Sequence, residues 1–243
     1  MKYLLCLLLS CYFFDRGVAP SSSVPILCYH HITPDDNGKS DAMSISRKQL
    51  SAQLKALADS GYHSILPDQL YAFLHAGTPL PARPVMITFD DTRAEHFSIA
   101  APLLQQYGFK GVFFVMTVPI GKPGYMTGSQ IKALSDMGHV IGAHTWDHPH
   151  AANIRPSDID KQFRSPRHHL ETITGRPVYY FAYPFGEWND SVIRDVKLSG
   201  YRAAFQLTGK VSPREQLYSI RRVMVNGNWS GMRLQQELKT VFK

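Results

Sequence analysis

Residues 84–92 read PVMITFDDT: a run suited to a buried strand ends on two adjacent acids, Asp90 and Asp91, followed by Thr92. Val, Ile, Thr and Phe favour pleated, packed backbone. Neighbouring carboxylates each raise the cost of ionising the other, so a chain that places two at a strand end is expected to bring a cation to them. The acid pair therefore poses two questions, which cation it meets and why two acids are needed.

Outward from this strand, short apolar runs alternate with amphipathic segments from residue 24 onward. Strands are predicted over 24–29, 62–66, 84–89, 111–116, 139–143, 178–183, 201–207 and 218–225, and helices over 46–60, 68–75, 95–107, 129–137, 157–174, 190–199 and 230–242. In 46–60, Leu50, Leu54, Leu57 and Ala58 share one helical face, with Ser46 as N-cap and Gly61 as stop. Pro166 lacks the N–H that its turn requires, so the 157–174 helix is expected to kink or divide. The alternation predicts an α/β fold, a distorted (β/α) barrel of about seven to eight mostly parallel strands in a single domain. No Gly-rich phosphate loop follows any strand, which argues against a nucleotide site.

The bulk numbers agree with one compact body. Across 243 residues, 44% hydrophobic and 19% charged side chains are an ordinary globular balance, and no linker divides the chain. Disorder and a multi-span membrane protein are excluded on that basis. The formal charge of +7 is compatible with anionic polymers or lipid head groups. No basic run is interleaved with aromatics, so nucleic acid is not an expected partner.

The first fourteen residues, MKYLLCLLLSCYFF, carry one Lys before an apolar run too short to span a bilayer, the pattern of an export signal. Residues 1–23 are read as signal and tether, and 24–243 as the catalytic domain. Two processing sites compete: ordinary cleavage after Gly17, Val18 and Ala19, or a lipobox at Leu8 to Cys11 that leaves Cys11 lipidated and the chain attached to a membrane. Cleavage of either kind leaves Cys28 as the sole thiol in the body, so no internal disulfide framework is available.

A second polar stretch, IGAHTWDHPH at 141–150, places His144 and His148 four apart, a spacing that on a helical turn aims both imidazoles one way. Two histidines and a carboxylate form a common catalytic zinc set with a position left for water. The alternative is a pair of loop histidines bonded to backbone. Asp90 and Asp91, His144, and the pair Tyr183 and Pro184 each follow a predicted strand, the rim on which barrels assemble their sites.

TFDDT at 88–92, HTWDH at 144–148 and AYPFG at 182–186, in that order, resemble the motifs of the polysaccharide deacetylases of carbohydrate esterase family 4. With YHHI at 29–32 the chain looks closest to the poly-β-1,6-N-acetylglucosamine deacetylase branch, over roughly residues 24–230. The resemblance implies a divalent metal, zinc by ligand type, held by Asp91, His144 and His148. It implies Asp90 as general base, the Phe185 main-chain N–H as oxyanion donor and His30 as the acid that serves the leaving amine. Strand alternation puts His30 and His31 on opposite faces, so at most one reaches the pocket. Tyr183, Pro184, Trp146 and Trp188 are candidate contacts for the sugar. The implied substrate is an acetylated polysaccharide, with chitin oligomers, peptidoglycan and xylan as alternatives and a glycan-binding pseudoenzyme as the non-catalytic reading.

Two departures from the family pattern carry structural expectations. Thr92 occupies the usual Gly position, and a left-handed turn there is expected to misaim Asp91. Ala182 stands where the family commonly has an Arg that orients the base, which leaves Asp90 without that support. His150 is expected to border the site, and His63, His75, His96, His139, His168 and His169 to be surface or locally satisfied groups.

Overall fold

The computed structural model describes residues 24–34, 40–207 and 209–242, so both N-terminal processing alternatives and Cys11 lie outside the described residues. In chain order the strands are β1 (Ile26–Tyr29), β2 (His31–Thr33), β3 (Ser44–Ser46), β4 (His63–Ser64), β5 (Pro84–Asp90), β6 (Val112–Val115), β7 (Val140–Ala143), β8 (Tyr180–Ala182), β9 (Ala203–Phe205) and β10 (Val223–Met224). The α-helices are α1 (Arg47–Asp59), α2 (Pro67–Ala76), α3 (Ala101–Gln106), α4 (Gly128–Asp136), α5 (Ser165–Thr174), α6 (Asp190–Leu198) and α7 (Gly231–Val241).

The main sheet runs β10-β1-β5-β6-β7-β8-β9, with β4 on the first residues of β5, and each of these pairings is parallel. Its two ends meet. Ile220 accepts from the Gln206 N–H and donates to the Ala204 carbonyl beside β9, while Val225 donates to the Cys28 carbonyl beside β1. One segment, 220–225, thus hydrogen-bonds to both margins and draws the sheet into the expected distorted (β/α) barrel.

Alternation along the strands sorts the core into two layers. Ile26, Met86, Val112, Phe114, Tyr180, Ala182, Ala203, Phe205 and Ile220 fill the interior, with Leu70 and Leu74 of α2 closing one end. Leu27, Ile87, Phe89, Phe113, Ile141 and Phe181 face outward and pack under Leu50, Leu54, Leu104, Leu134 and Leu170 from the helices. At α1, Ser46 accepts from the Gln49 N–H as the predicted N-cap.

The predicted 95–107 and 157–174 helices are each divided. A π-helical turn at His96–Ala100 precedes α3, and another at Asp160–Arg164 precedes α5. Both close with a wide bond from the residue before a proline: Ala101 N–H to the His96 carbonyl ahead of Pro102, and Ser165 N–H to the Asp160 carbonyl ahead of Pro166. A proline offers no N–H to the preceding turn and its ring crowds that turn's carbonyl, so the ladder widens there. Sequence reading also missed the parallel pair β2 and β3, whose three residues each are too few to display a period.

Gly142 lies on the interior side of β7, where an added Cβ would sit 2.5 Å from Phe114 Cδ1 and 3.0 Å from the Tyr180 carbonyl oxygen. Gly142→Ala is expected to destabilise the fold by about 1–3 kcal/mol through overpacking, read as a lower urea midpoint at unchanged slope.

Candidate active site

Period-two alternation carries Cys28 and His30 from β1, and Thr88 and Asp90 from β5, to the interior at one end of the barrel. Arg222, two residues beyond Ile220 on the closing segment, meets them there. Its guanidinium is fully buried and donates from Nη1 and Nη2 to the two oxygens of Asp90, at 2.8 Å each. Nη1 also reaches Thr88 Oγ1 at 3.0 Å and Nε the Gln206 carbonyl at 3.1 Å. Burial opposes ionisation of Asp90, but the charge and hydrogen bonds of Arg222, joined by His144 and His30, together outweigh it and hold the carboxyl far below the usual range. The support that Ala182 cannot give therefore comes from another strand. Sequence reading missed it because Arg222 lies 132 residues from Asp90, and nothing in the predicted 218–225 strand marks it as a partner of the acid pair.

Asp91 leaves the strand register at φ 81, followed by Thr92 at φ 61. The left-handed turn is present, yet Asp91 is not misaimed: its Oδ1 lies 3.5 Å from Nε2 of both His144 and His148. Thr92 is held in place by donation from Oγ1 to the Met116 carbonyl at 3.0 Å and by the Met126 N–H on its own carbonyl. Asp91 Oδ1 is buried with no hydrogen-bond partner. An unpaired carboxylate oxygen between two imidazoles fits a divalent cation, since ligands about 2.0–2.1 Å from a tetrahedral zinc lie roughly 3.3 Å apart.

The two histidines converge by a route that differs from the expected helical turn. Thr145 and His148 adopt φ 66 and φ 64, and Thr145 Oγ1 accepts from the His148 N–H at 3.0 Å, so a side-chain-bonded turn folds His148 back. The Nδ1–H of His144 donates to the Ala182 carbonyl at 2.8 Å, which orients Nε2 toward Asp91. Burial pushes the His144 pKa down, but Asp90 and Asp91 together raise it above the ordinary value. Asp91 falls to about 2 despite burial, through His144. Burial lowers His148 and His30.

His30 faces the interior with Nε2 4.0 Å from Asp90 Oδ2, whereas His31 turns outward to an ion pair with Glu95. His96, expected to be a surface or locally satisfied group, is fully buried against Phe89 and Phe113 and donates from Nε2 to the His30 carbonyl at 2.7 Å. The π-helical turn after the acid pair thus holds the strand end that presents His30.

Phe185 sits at φ 59, half exposed, its ring edge-on to His148 and stacked on His150 at 4.1 Å. Tyr183 and Pro184 are buried and are corrected as sugar contacts: the Tyr183 hydroxyl donates to the Tyr218 carbonyl, and strand alternation turns the ring into the outer core. Trp188 is half-buried against that core, and Trp146 is half-exposed beneath the Lys161 ammonium at 3.9 Å.

Removing one member of the buried pair leaves the other charge uncompensated. Arg222→Met is expected to cost about 3–5 kcal/mol in urea unfolding, and adding Asp90→Asn to restore part of it. In the metal-free protein the stability contributed by Asp90 and Asp91 is present above the unfolded carboxylate value of about 3.9 and is lost as pH falls below it; this acid loss should shrink in Asp90→Asn, read from urea midpoints across acid pH.

The profile of the family described as polysaccharide deacetylase matches residues 77–204, more than half of the chain. YxkH of Bacillus subtilis strain 168, provisionally named a polysaccharide deacetylase, is 26% identical over 211 residues, spanning 86% of this chain and 74% of that protein. The poly-β-1,6-N-acetyl-D-glucosamine N-deacetylase of Escherichia coli K12 is 21% identical over 266 residues; the match takes in 91% of this chain but 39% of that protein. The fold is shared with the Streptococcus pyogenes deacetylase PplD, solved with acetate, at a TM-score of 0.81 and 24% identity over 90% of this chain and 98% of that one. The chain belongs to the polysaccharide deacetylase family.

Proposed function

We propose that the protein hydrolyses N-acetyl groups on an exported polysaccharide, poly-N-acetylglucosamine foremost, releasing acetate and a free amine. The observation that carries this reading is the division of the acid pair, Asp91 between two imidazoles and Asp90 on a buried guanidinium. The choice of glycan is supported by the YHHI stretch and by the Escherichia coli relative. The N-terminal apolar run supports export, with lipidation at Cys11 as the route to membrane attachment.

A divalent ion held by Asp91, His144 and His148, zinc by its ligand set, would supply a Lewis acid for the acetyl carbonyl and the attacking water. Asp90, kept ionised by Arg222, takes the proton of that water as the C–O bond forms. Its low proton affinity then favours passing the proton on. His30, neutral at rest because burial lowers its pKa, lies 4.0 Å away and becomes an acid on receiving it. His30 delivers the proton to the nitrogen as the C–N bond breaks, while the Phe185 N–H donates to the oxyanion. Trp146 borders a groove of about 570 Å³ shared with Arg164 and His168, large enough for a sugar.

The test is acetate release by the full chain from poly-N-acetylglucosamine, chitin oligomers, peptidoglycan and acetylxylan. Chelator should abolish release and zinc restore it, with the first glycan fastest; another glycan fastest would move the substrate, and no release from any would overturn the reading. Asp90→Asn, whose amide oxygen still accepts from Arg222, is expected to bind one zinc and lose turnover by about 10²–10⁴-fold. Unchanged turnover would remove Asp90 as the base.

A further inference from the structure

We propose that Cys28, His30 and Asp90 form a second, weaker site for a soft divalent cation, zinc in excess or cadmium, and that filling it stops the reaction. The three side chains share the interior face, Cys28 on β1, His30 one residue past its end and Asp90 on the adjacent β5. One donor atom from each lies within 4.8 Å of the others. Both partners converge on a single oxygen, Asp90 Oδ2, with Cys28 Sγ at 3.5 Å and His30 Nε2 at 4.0 Å. A tetrahedral ion about 2.3 Å from sulfur and about 2.0 Å from a carboxylate oxygen holds those two ligands roughly 3.5 Å apart. The thiol and carboxylate are therefore already at ligand spacing, and His30 needs only a small inward swing.

Cys28 has no part in the proposed hydrolysis. It is fully buried and its S–H points to Asp90 Oδ2. An entering cation replaces that proton: the metal–sulfur bond forms, the S–H bond breaks and the proton leaves to solvent. A thiolate, an imidazole and a carboxylate together select soft or borderline ions over magnesium or calcium, which prefer all-oxygen shells.

Arg222 sets the order of filling. At the Asp91 site one carboxylate faces two imidazoles, with no permanent cation bonded to it. At Asp90 the guanidinium already donates to both oxygens, so an added divalent ion meets a carboxylate whose charge is already compensated and a fixed cation beside it. The Cys28 site is the weaker of the two, and it fills when metal exceeds one equivalent. Its occupation takes the carboxylate from its role as base and the imidazole from its role as acid, so the inhibition and the order of filling rest on the site and roles proposed above; the binding itself does not.

Cadmium titrated into the chelator-treated full chain tests both parts. Cys6→Ser and Cys11→Ser leave Cys28 as the one thiol, so an ultraviolet thiolate-to-cadmium band reports on it alone. The first equivalent should give no band; the second should raise the band and stop acetate release. Cys28→Ser should abolish the band and leave activity insensitive to the second equivalent. His30→Gln should weaken the second equivalent by about 10- to 100-fold or more. No band at excess cadmium, or a band of undiminished affinity in His30→Gln, would each overturn the site; a band complete at the first equivalent would overturn the order of filling. The band appears whether or not the chain releases acetate, so loss of the hydrolase reading and loss of this site are separate results. A Cys28→Ala variant serves if the serine is not tolerated in the core.

Discussion

The bonding of Arg222 to Asp90 is the constraint on which the rest of the site depends. It joins β5 to the segment that closes the barrel, passing β1, and both partners are removed from water. Two buried charges repay their desolvation only with full hydrogen bonding, and here the guanidinium spends its donors on both carboxylate oxygens, a threonine hydroxyl and a main-chain carbonyl. If the closing segment slipped by one residue, Arg222 would move to the outer face, and the ionised state of Asp90 would lose its cause. The charge state of the proposed base is thus a consequence of barrel closure.

Backbone strain is concentrated in the same place. Of the six non-glycine residues at positive φ among the described residues, Asp91, Thr92, Thr145, His148 and Phe185 line this end of the barrel and only Arg83 does not. Each such conformation costs on the order of 1–3 kcal/mol and persists where surrounding bonds over-determine it. The hydroxyls of Thr92 and Thr145 supply such bonds, to the Met116 carbonyl and from the His148 N–H. A threonine in a glycine position is tolerable here because its side chain compensates for part of what its backbone lacks.

The parallel barrel, the acid pair at a strand end and the two histidines were legible because each is local: a period, a dipeptide, a spacing of four. What was not legible depends on distance or on direction. Arg222 is invisible beside Asp90 in the linear order, and the expectation that Asp90 lacked support followed from looking for it at Ala182 alone. Tyr183 was assigned to the sugar because it stands at a strand end, but alternation from Phe181 sends its ring to the outer core. His96 was set aside as an isolated histidine, since nothing before the fold shows that a π-helical turn carries it under His30. Prolines 102 and 166 did mark both divided helices, and Pro166 was read correctly for the physical reason that applies.

Two successive carboxylates in a strand would point to opposite faces, one inward and one into the helical layer, where an ionised Asp91 would find only apolar partners. The left-handed step at Asp91 prevents this and keeps both acids at the same end of the interior, aimed at different neighbours. One acid receives a permanent cation from the chain, and the other is left with a buried oxygen, without a hydrogen bond, between two imidazoles. Like charges that would otherwise raise each other's pKa both remain ionised, because each has its own source of compensation. The first source is folded in with Arg222 and cannot be removed by a chelator; in the proposed function the second would be an exchangeable ion. An acid whose charge never depends on the exchangeable ion can stay unligated beside it, and that separation is what lets two adjacent, chemically identical side chains perform unlike tasks.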